Sequence, residues 1–395
     1  MTELAWKGNG PRIAVFGFDI TEASQIRRIR SLIEAGCDVI SFAQRREEIG
    51  DDRSPEWPHV DLGRVGHHGY ARRAGMIGKG IATAARYWRV IADADLIIGR
   101  NIDLALIALG ARRAASIRAR RRPAPFVYEV LDIHSLFTRN DKVAQIMKAA
   151  EKRVLASSDA LVISSPAFSS EYFGPVQGWN GKTILIENKL YLGNAPKLRD
   201  RRPKARPAPG PVLRLGLVGS IRCAPSLKIL SDAAERLGDQ VEIRLHGNVH
   251  RHAVPDFDSI LQAHANITYL GPYAYPEGLL ECYEDCDLVW AQDLWQRGTN
   301  SDWLLPNRIY EASWAGCPQI AVAGTQTGRR VEDDGLGFVI AEPTGEALCD
   351  LLQDLAPQDI KQVSDSLLSR EAADFVQSPA DLAELVSIAR KGDDR

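Results

Sequence analysis

LLPNRIYEASWAGCP, Leu304 to Pro318, is the stretch from which the rest of the chain can be placed. Pro306 suits the first turn of a helix, where a missing N–H costs nothing, and Gly316 followed by Pro318 ends that helix. Asn307, Arg308 and Glu311 then share one face. A helix N-terminus attracts anions through its free N–H groups and its dipole, so Asn307 and Arg308 in the first turn form a phosphate seat. Glu311, one turn deeper, is placed to accept hydrogen bonds from sugar hydroxyls. By spacing alone, Arg308 and Glu311 read equally well as an i,i+3 surface ion pair worth about 0.2–0.5 kcal/mol.

Working outward, short β-rich runs alternate with helical patterns. The first half offers RIAVFGF at Arg12, DVISFAQ at Asp38, DLIIGR at Asp95, FVYEVL at Phe126, ALVISS at Ala160 and KTILIENK at Lys182. The second offers VLRLGLVG at Val212, VEIRLHG at Val241, ITYLG at Ile267, DLVWA at Asp287, QIAVA at Gln319 and GFVIA at Gly337. Such alternation implies parallel sheets covered by helices on both faces. Residues 50–80 are Gly- and His-rich, lack periodicity and read as a long loop. The Pro-rich, nearly apolar-free stretch at 196–211 reads as a stiff linker. The expected organisation is therefore an α/β chain of two doubly wound domains, 1–195 and 212–375. Their ligand cleft is expected between the carboxyl ends of the sheets.

Composition sets the outer limits. A chain of 395 residues, 45% hydrophobic and 25% charged, is long enough for two soluble cores. The opening MTELAWKGNG lacks an apolar h-region, and the apolar run near Leu104–Ala111 is too short to span a bilayer. A cytoplasmic protein, peripheral at most on the inner face of the cell membrane, is expected. The six cysteines (Cys37, Cys223, Cys282, Cys286, Cys317, Cys349) are scattered; Cys282 and Cys286 lack a second pair at zinc spacing, so no metal site is expected. Residues 1–200 carry 30 Lys and Arg against 22 Asp and Glu, and the remainder 19 against 29. Three basic clusters stand out: Arg27, Arg28 and Arg30; Arg72, Arg73 and Lys79; and Arg112, Arg113, Arg118, Arg120, Arg121 and Arg122. Each is a solvated helix face by default; together they suggest attraction to an anionic membrane surface. No nucleic-acid motif accompanies them.

LPNRIYEASWAGCPQIAV resembles the nucleotide-sugar segment of the family 4 type glycosyltransferases of the GT-B fold, of the kind that builds bacterial surface polysaccharides. That resemblance implies that Glu311 holds the ribose and Arg308 the diphosphate. Many members carry a second Glu near the transferred sugar, eight positions before the first; here that position is Trp303. The resemblance further implies a retaining, metal-independent transfer from a nucleoside diphosphate sugar to a lipid-linked or glycan acceptor, with no bound cofactor. It also implies a last helix, 376–395, that crosses back to the first domain.

The strand-end loops supply the remaining candidates. LVGSIRCAPS places Gly219 and Ser220 after a strand, where backbone N–H groups approach a phosphate closely, with Arg222 adding charge. LHGNVHRH offers His246 and Gly247, which read alternatively as a structural histidine and a tight turn. LGPYAYPEG resembles the family's loop beside the nucleobase and makes Tyr273 a stacking candidate, with a buried aromatic edge as the alternative. In the first half YEVLDIHSLF resembles the family's acidic-x-His segment, which puts Asp132 and His134 on the acceptor or the sugar. The turn FGFDITEASQ has one Gly where a dinucleotide fingerprint needs three, and no P-loop, nucleophile elbow or H-E-x-x-H occurs. A nucleotide-sugar epimerase of the same fold remains as the enzymatic alternative, and a catalytically silent nucleotide-sugar binder as the other, kept open by Trp303.

Overall fold

The computed structural model describes residues 4–20, 22–46, 55–65, 70–193 and 196–390. The chain divides into two units: the first runs to Glu187 and resumes at Ser378, and the second is Asn188–Gln377.

The first unit contains β1 (Arg12–Asp19), β2 (Asp38–Arg46), β3 (His59–Val65), β4 (Leu96–Arg100), β5 (Phe126–Val130), β6 (Ala160–Ile163) and β7 (Thr183–Leu185). They form one parallel sheet in the order β3-β2-β1-β4-β5-β6-β7, with Ile13 opposite Val39 on one side and Leu96 on the other. Strands buried on both faces read as continuous apolar runs, which is why β1, β4 and β6 were legible. Ile13, Val15, Ile98, Val127 and Val162 share a core with Leu382, Leu385, Val386 and Ala389, so the end of the chain packs on this unit.

Residues 50–80 correct the expectation of a loop. Residues 50–54 and 66–69 lie outside the described ones, but between and after them stand β3 and a helix, Tyr70–Ala84. Gly75, Gly78 and Gly80 hide that helix, since each Gly costs about 0.8–1.0 kcal/mol of helix propensity. Of the three, Gly80 serves packing. A Cβ on Gly80 would lie 2.6 Å from the Ile107 side chain, and one on Gly110 would lie 2.7 Å from Ile81. The helices Tyr70–Ala84 and Asn101–Ala119 thus approach each other closely through paired glycine notches.

Two of the basic clusters also change character. Arg27 and Arg28 are buried, and Arg28 Nε lies 2.8 Å from Oε1 of the wholly buried Glu129, whose Oε2 lies 3.1 Å from Arg100 Nε. Burial favours the neutral form of Glu129, but Arg100 and Arg28 outweigh it and hold the carboxyl below its usual range. Arg73 is paired with Asp103 at 2.5 Å, and the side chain of Arg72 lies outside what is described. The third cluster keeps a solvated face: Arg113, Arg118, Arg120 and Arg122 are exposed.

The second unit contains β8 (Leu213–Val218), β9 (Val241–His246), β10 (Ile267–Gly271), β11 (Leu288–Trp290), β12 (Gln319–Val322) and β13 (Gly337–Ile340), again all parallel, in the order β10-β9-β8-β11-β12-β13. The order reverses between β8 and β11, the position where doubly wound sheets open a crevice at their carboxyl ends. The stretch at 196–211 is part of this unit rather than a free linker. Leu198 is buried, and Arg202 donates to the carbonyls of Trp314 (3.0 Å), Arg370 (2.9 Å) and Leu367 (3.0 Å). Its prolines stiffen it, but its arginines hold it down.

Candidate functional site

The helix of the opening segment runs Asn307–Trp314, with Pro306 as its N-cap in an extended conformation. It ends where Gly316 turns left-handed (φ +70°) and Cys317 N–H donates to Ala312 O at 2.9 Å. That closing bond is the Schellman geometry glycine permits. Arg308, in the first turn, lies across the end of β8. Its Nε donates to Val218 O at 2.5 Å and its Nη2 to Ser220 O at 3.4 Å. Glu311 is 5% exposed, and its Oε2 accepts from Tyr283 Oη at 3.1 Å. Arg308 and Glu311 are therefore not a surface ion pair; each is held by a different part of the unit.

The turn after β8 depends on two glycines. Gly219 adopts φ +110° and Gly247 φ +133°, and a Cβ on Gly247 would lie 1.8 Å from Gly219 O. Gly219 N–H donates to His246 O at 2.9 Å. No other residue allows these two strand ends to cross so closely. Gly247 accordingly fits the reading of a tight turn. Ser220 is exposed just beyond Gly219, and the side chain of Arg222 is 54% exposed.

His246, the last residue of β9, is buried, with Nε2 at 3.4 Å from Asp285 Oδ2. Burial lowers its pKa against the pull of Asp285. His246 and Tyr273 line a pocket of about 600 Å³ with Glu281, Cys282 and Asp285. Tyr273 is half-buried, and burial, then the charge of Glu311, push its phenol well above the usual range. Tyr273 thus stands beside both this pocket and Glu311. Among the described residues, Arg308, Glu311, Gly219, Ser220, Arg222, His246 and Tyr273 all lie at the carboxyl end of the second sheet, with Asn307 half-buried at the head of the helix.

Asp132 and His134 belong to the first unit, just beyond the carboxyl end of β5, and both are exposed. His134 Nδ1 accepts from Leu136 N–H at 3.2 Å and so caps a short helical turn, which in the neutral ring leaves the proton on Nε2. Partial burial of the ring, then Arg73, lower its pKa, so the neutral form prevails at neutral pH.

Sequence reading missed the loop after β11. Gln292 is fully buried, and its Oε1 accepts from Val322 N–H and Thr325 Oγ1, each at 3.1 Å. Asp293 follows it, beside Arg222. The available signal was an amide and a carboxylate directly after an apolar strand. Trp303 closes this loop and brings no carboxylate to it.

No family model matches the sequence. The succinoglycan biosynthesis protein ExoL of Rhizobium meliloti (strain 1021) is 30% identical over 369 residues, covering 93% of this chain and 90% of that protein. Among solved structures, Anabaena Alr3699/HepE in complex with UDP and glucose superposes with a TM-score of 0.62 at 15% identity, over 96% of this chain and 99% of that one. A glycosyltransferase from Rickettsia africae ESF-5 does so with 0.64 at 14% identity, over 97% and 99%. The two doubly wound units and these likenesses converge: the chain has the GT-B fold of these structures and belongs to the same family as ExoL.

Proposed function

We propose that the protein transfers a sugar from a nucleoside diphosphate donor to a glycan or lipid-linked acceptor of a surface polysaccharide. The observation that carries this reading is the placement of Arg308 and Glu311 on one short helix, the first across the end of β8 and the second buried one turn deeper. A diphosphate at the Gly219–Ser220 turn meets Arg308, Arg222 and the helix N–H groups, while the ribose hydroxyls donate to Glu311. The leaving diphosphate gains negative charge as the glycosidic bond breaks, and fixed cationic donors stabilise that charge without reorganisation. Transfer with retention and without a resident metal is part of the proposal. His134 and Asp132, in the first unit, serve the acceptor side. Because HepE was solved with UDP and glucose, UDP sugars stand first in the screen, followed by GDP and ADP sugars.

Calorimetry of wild type and Glu311→Gln with these donors tests the reading. Loss of a charged acceptor for the ribose should weaken binding by about 1–3 kcal/mol without unfolding the protein. Equal affinities in the two proteins would return Glu311 to a structural role as the partner of Tyr283.

Attraction to an anionic membrane is the second part of the proposal, now confined to one surface. Arg113 and Ile117 lie one turn apart near the end of the helix Asn101–Ala119, with Ile117 67% exposed, Arg118 next to it, and Arg120 and Arg122 just past the helix end. Among the described residues, no helix is long and apolar enough to cross a membrane. At about 1 kcal/mol for each basic residue near the surface, four arginines suffice for weak, salt-sensitive docking. In liposome flotation the protein should rise with anionic vesicles and not with neutral ones. Indifference to vesicle charge would remove this part of the proposal.

A further inference from the structure

Asp293 lies immediately beyond β11, on the far side of the strand-order reversal from Gly219 and Arg222. Its side chain is 14% exposed. Oδ1 is fully engaged, accepting from Ser301 Oγ at 2.6 Å and from Trp295 N–H at 2.8 Å. Among the described residues, the cation facing Oδ2 is Arg222, with Nη2 at 3.9 Å, beyond hydrogen-bond length. The loop behind it is rigid: Gln292 Nε2 donates to Asp293 O at 2.9 Å, and Ser301 Oγ also accepts from Gln296 N–H at 2.7 Å. A carboxylate is therefore fixed by one oxygen while the other is presented beside the arginine of the diphosphate turn.

A carboxylate with no further role would weaken that site, because it repels the diphosphate that Arg222 and Arg308 attract. Its chemistry suits the other half of the donor. A carboxylate only accepts hydrogen bonds, and sugar hydroxyls are donors held next to the diphosphate by covalent attachment. Trp295, on the same loop, is 46% exposed and offers an aromatic surface of the kind that covers the apolar face of a pyranose.

We propose that Asp293 Oδ2 is a sugar-contacting group of the donor site, accepting from hydroxyls of the transferred sugar and selecting donors whose sugar is uncharged. This inference rests on the donor reading above. A uronic acid would bring a second carboxylate against Asp293, and like charges at such a contact are strongly unfavourable. The alternative role for Asp293 is to position Arg222, and the two roles have different consequences.

The test uses the full chain, with the nucleoside diphosphate chosen by the calorimetric screen, its glucose ester and its glucuronate ester. Asp293→Asn keeps an oxygen for Ser301 and Trp295 N–H and removes the charge, and a melting temperature equal to that of wild type checks that the loop stands. The expected result is about a tenfold loss of affinity for the glucose ester, little change for the free diphosphate, and a smaller preference for glucose over glucuronate. Equal weakening of ester and free diphosphate would make Asp293 a positioning residue for Arg222 and overturn the proposal. Unchanged affinities for all three ligands would overturn it as well. Absence of nucleotide binding in the wild type would instead defeat the donor reading itself, and this inference with it.

Discussion

Arg308→Ala should lower turnover by about 10²- to 10³-fold, corresponding to about 2.7–4 kcal/mol of lost transition-state stabilisation, and should weaken donor binding as well. The guanidinium bridges the carbonyls of Val218 and Ser220, so its remaining N–H groups are held rigidly at the Gly219 turn. Negative charge grows on the departing diphosphate, and a fixed cation interacts with it more strongly in the transition state than in the bound donor. Arg308→Lys keeps the charge without the planar fork and should recover only part of the rate. Release of nucleoside diphosphate, with acceptor or by slow hydrolysis, gives the rate; calorimetry gives the affinity. An Arg308→Ala protein with raised KM and an unaltered kcat would show that Arg308 binds the donor and does nothing more in the reaction.

Arg206→Ala should destabilise the second unit by about 3–6 kcal/mol. Arg206 is 8% exposed. Its Nη2 donates to Tyr283 O at 2.9 Å and to Cys286 O, and its Nη1 to Ala315 O at 3.4 Å. These carbonyls lie at the C-terminal ends of the helices Leu279–Glu284 and Asn307–Trp314, where a cation also meets the negative end of each dipole. Three carbonyls lose a charged donor in the alanine variant, at about 1–2 kcal/mol each. Glu311 and its partner Tyr283 sit on those same two helices, so donor affinity should fall together with stability. Urea unfolding of the full chain, read by a probe of the second unit, measures the loss. A midpoint and slope matching the wild type would show that these bonds contribute nothing net.

The two doubly wound sheets were legible in the sequence because parallel strands buried on both faces leave continuous apolar runs, such as LIIG before Arg100 and LVW before Ala291. The helix Asn307–Trp314 was legible from its punctuation, a proline before it and a glycine turn after it. What escaped detection has physical causes of the opposite kind. The helix Tyr70–Ala84 carries three glycines, which disfavour a helix, and at Gly80 close approach to Ile107 of the neighbouring helix outweighs propensity. Arg28 reads as part of a solvated face because local charge does not reveal the buried Glu129 it meets from 101 residues away.

The sequence by itself determined the fold class and the position of the helix Asn307–Trp314, since both follow from local periodicity and from residues that start and stop elements. Only the tertiary structure decided which side chains meet. Arg308 lies across β8, Glu311 meets Tyr283, Asp293 stands beside Arg222, and the stretch at 196–211 is bound down by Arg202 and Arg206. Each of these contacts joins residues far apart in the chain, and charge and hydrogen bonding act over distances in space that sequence spacing does not record.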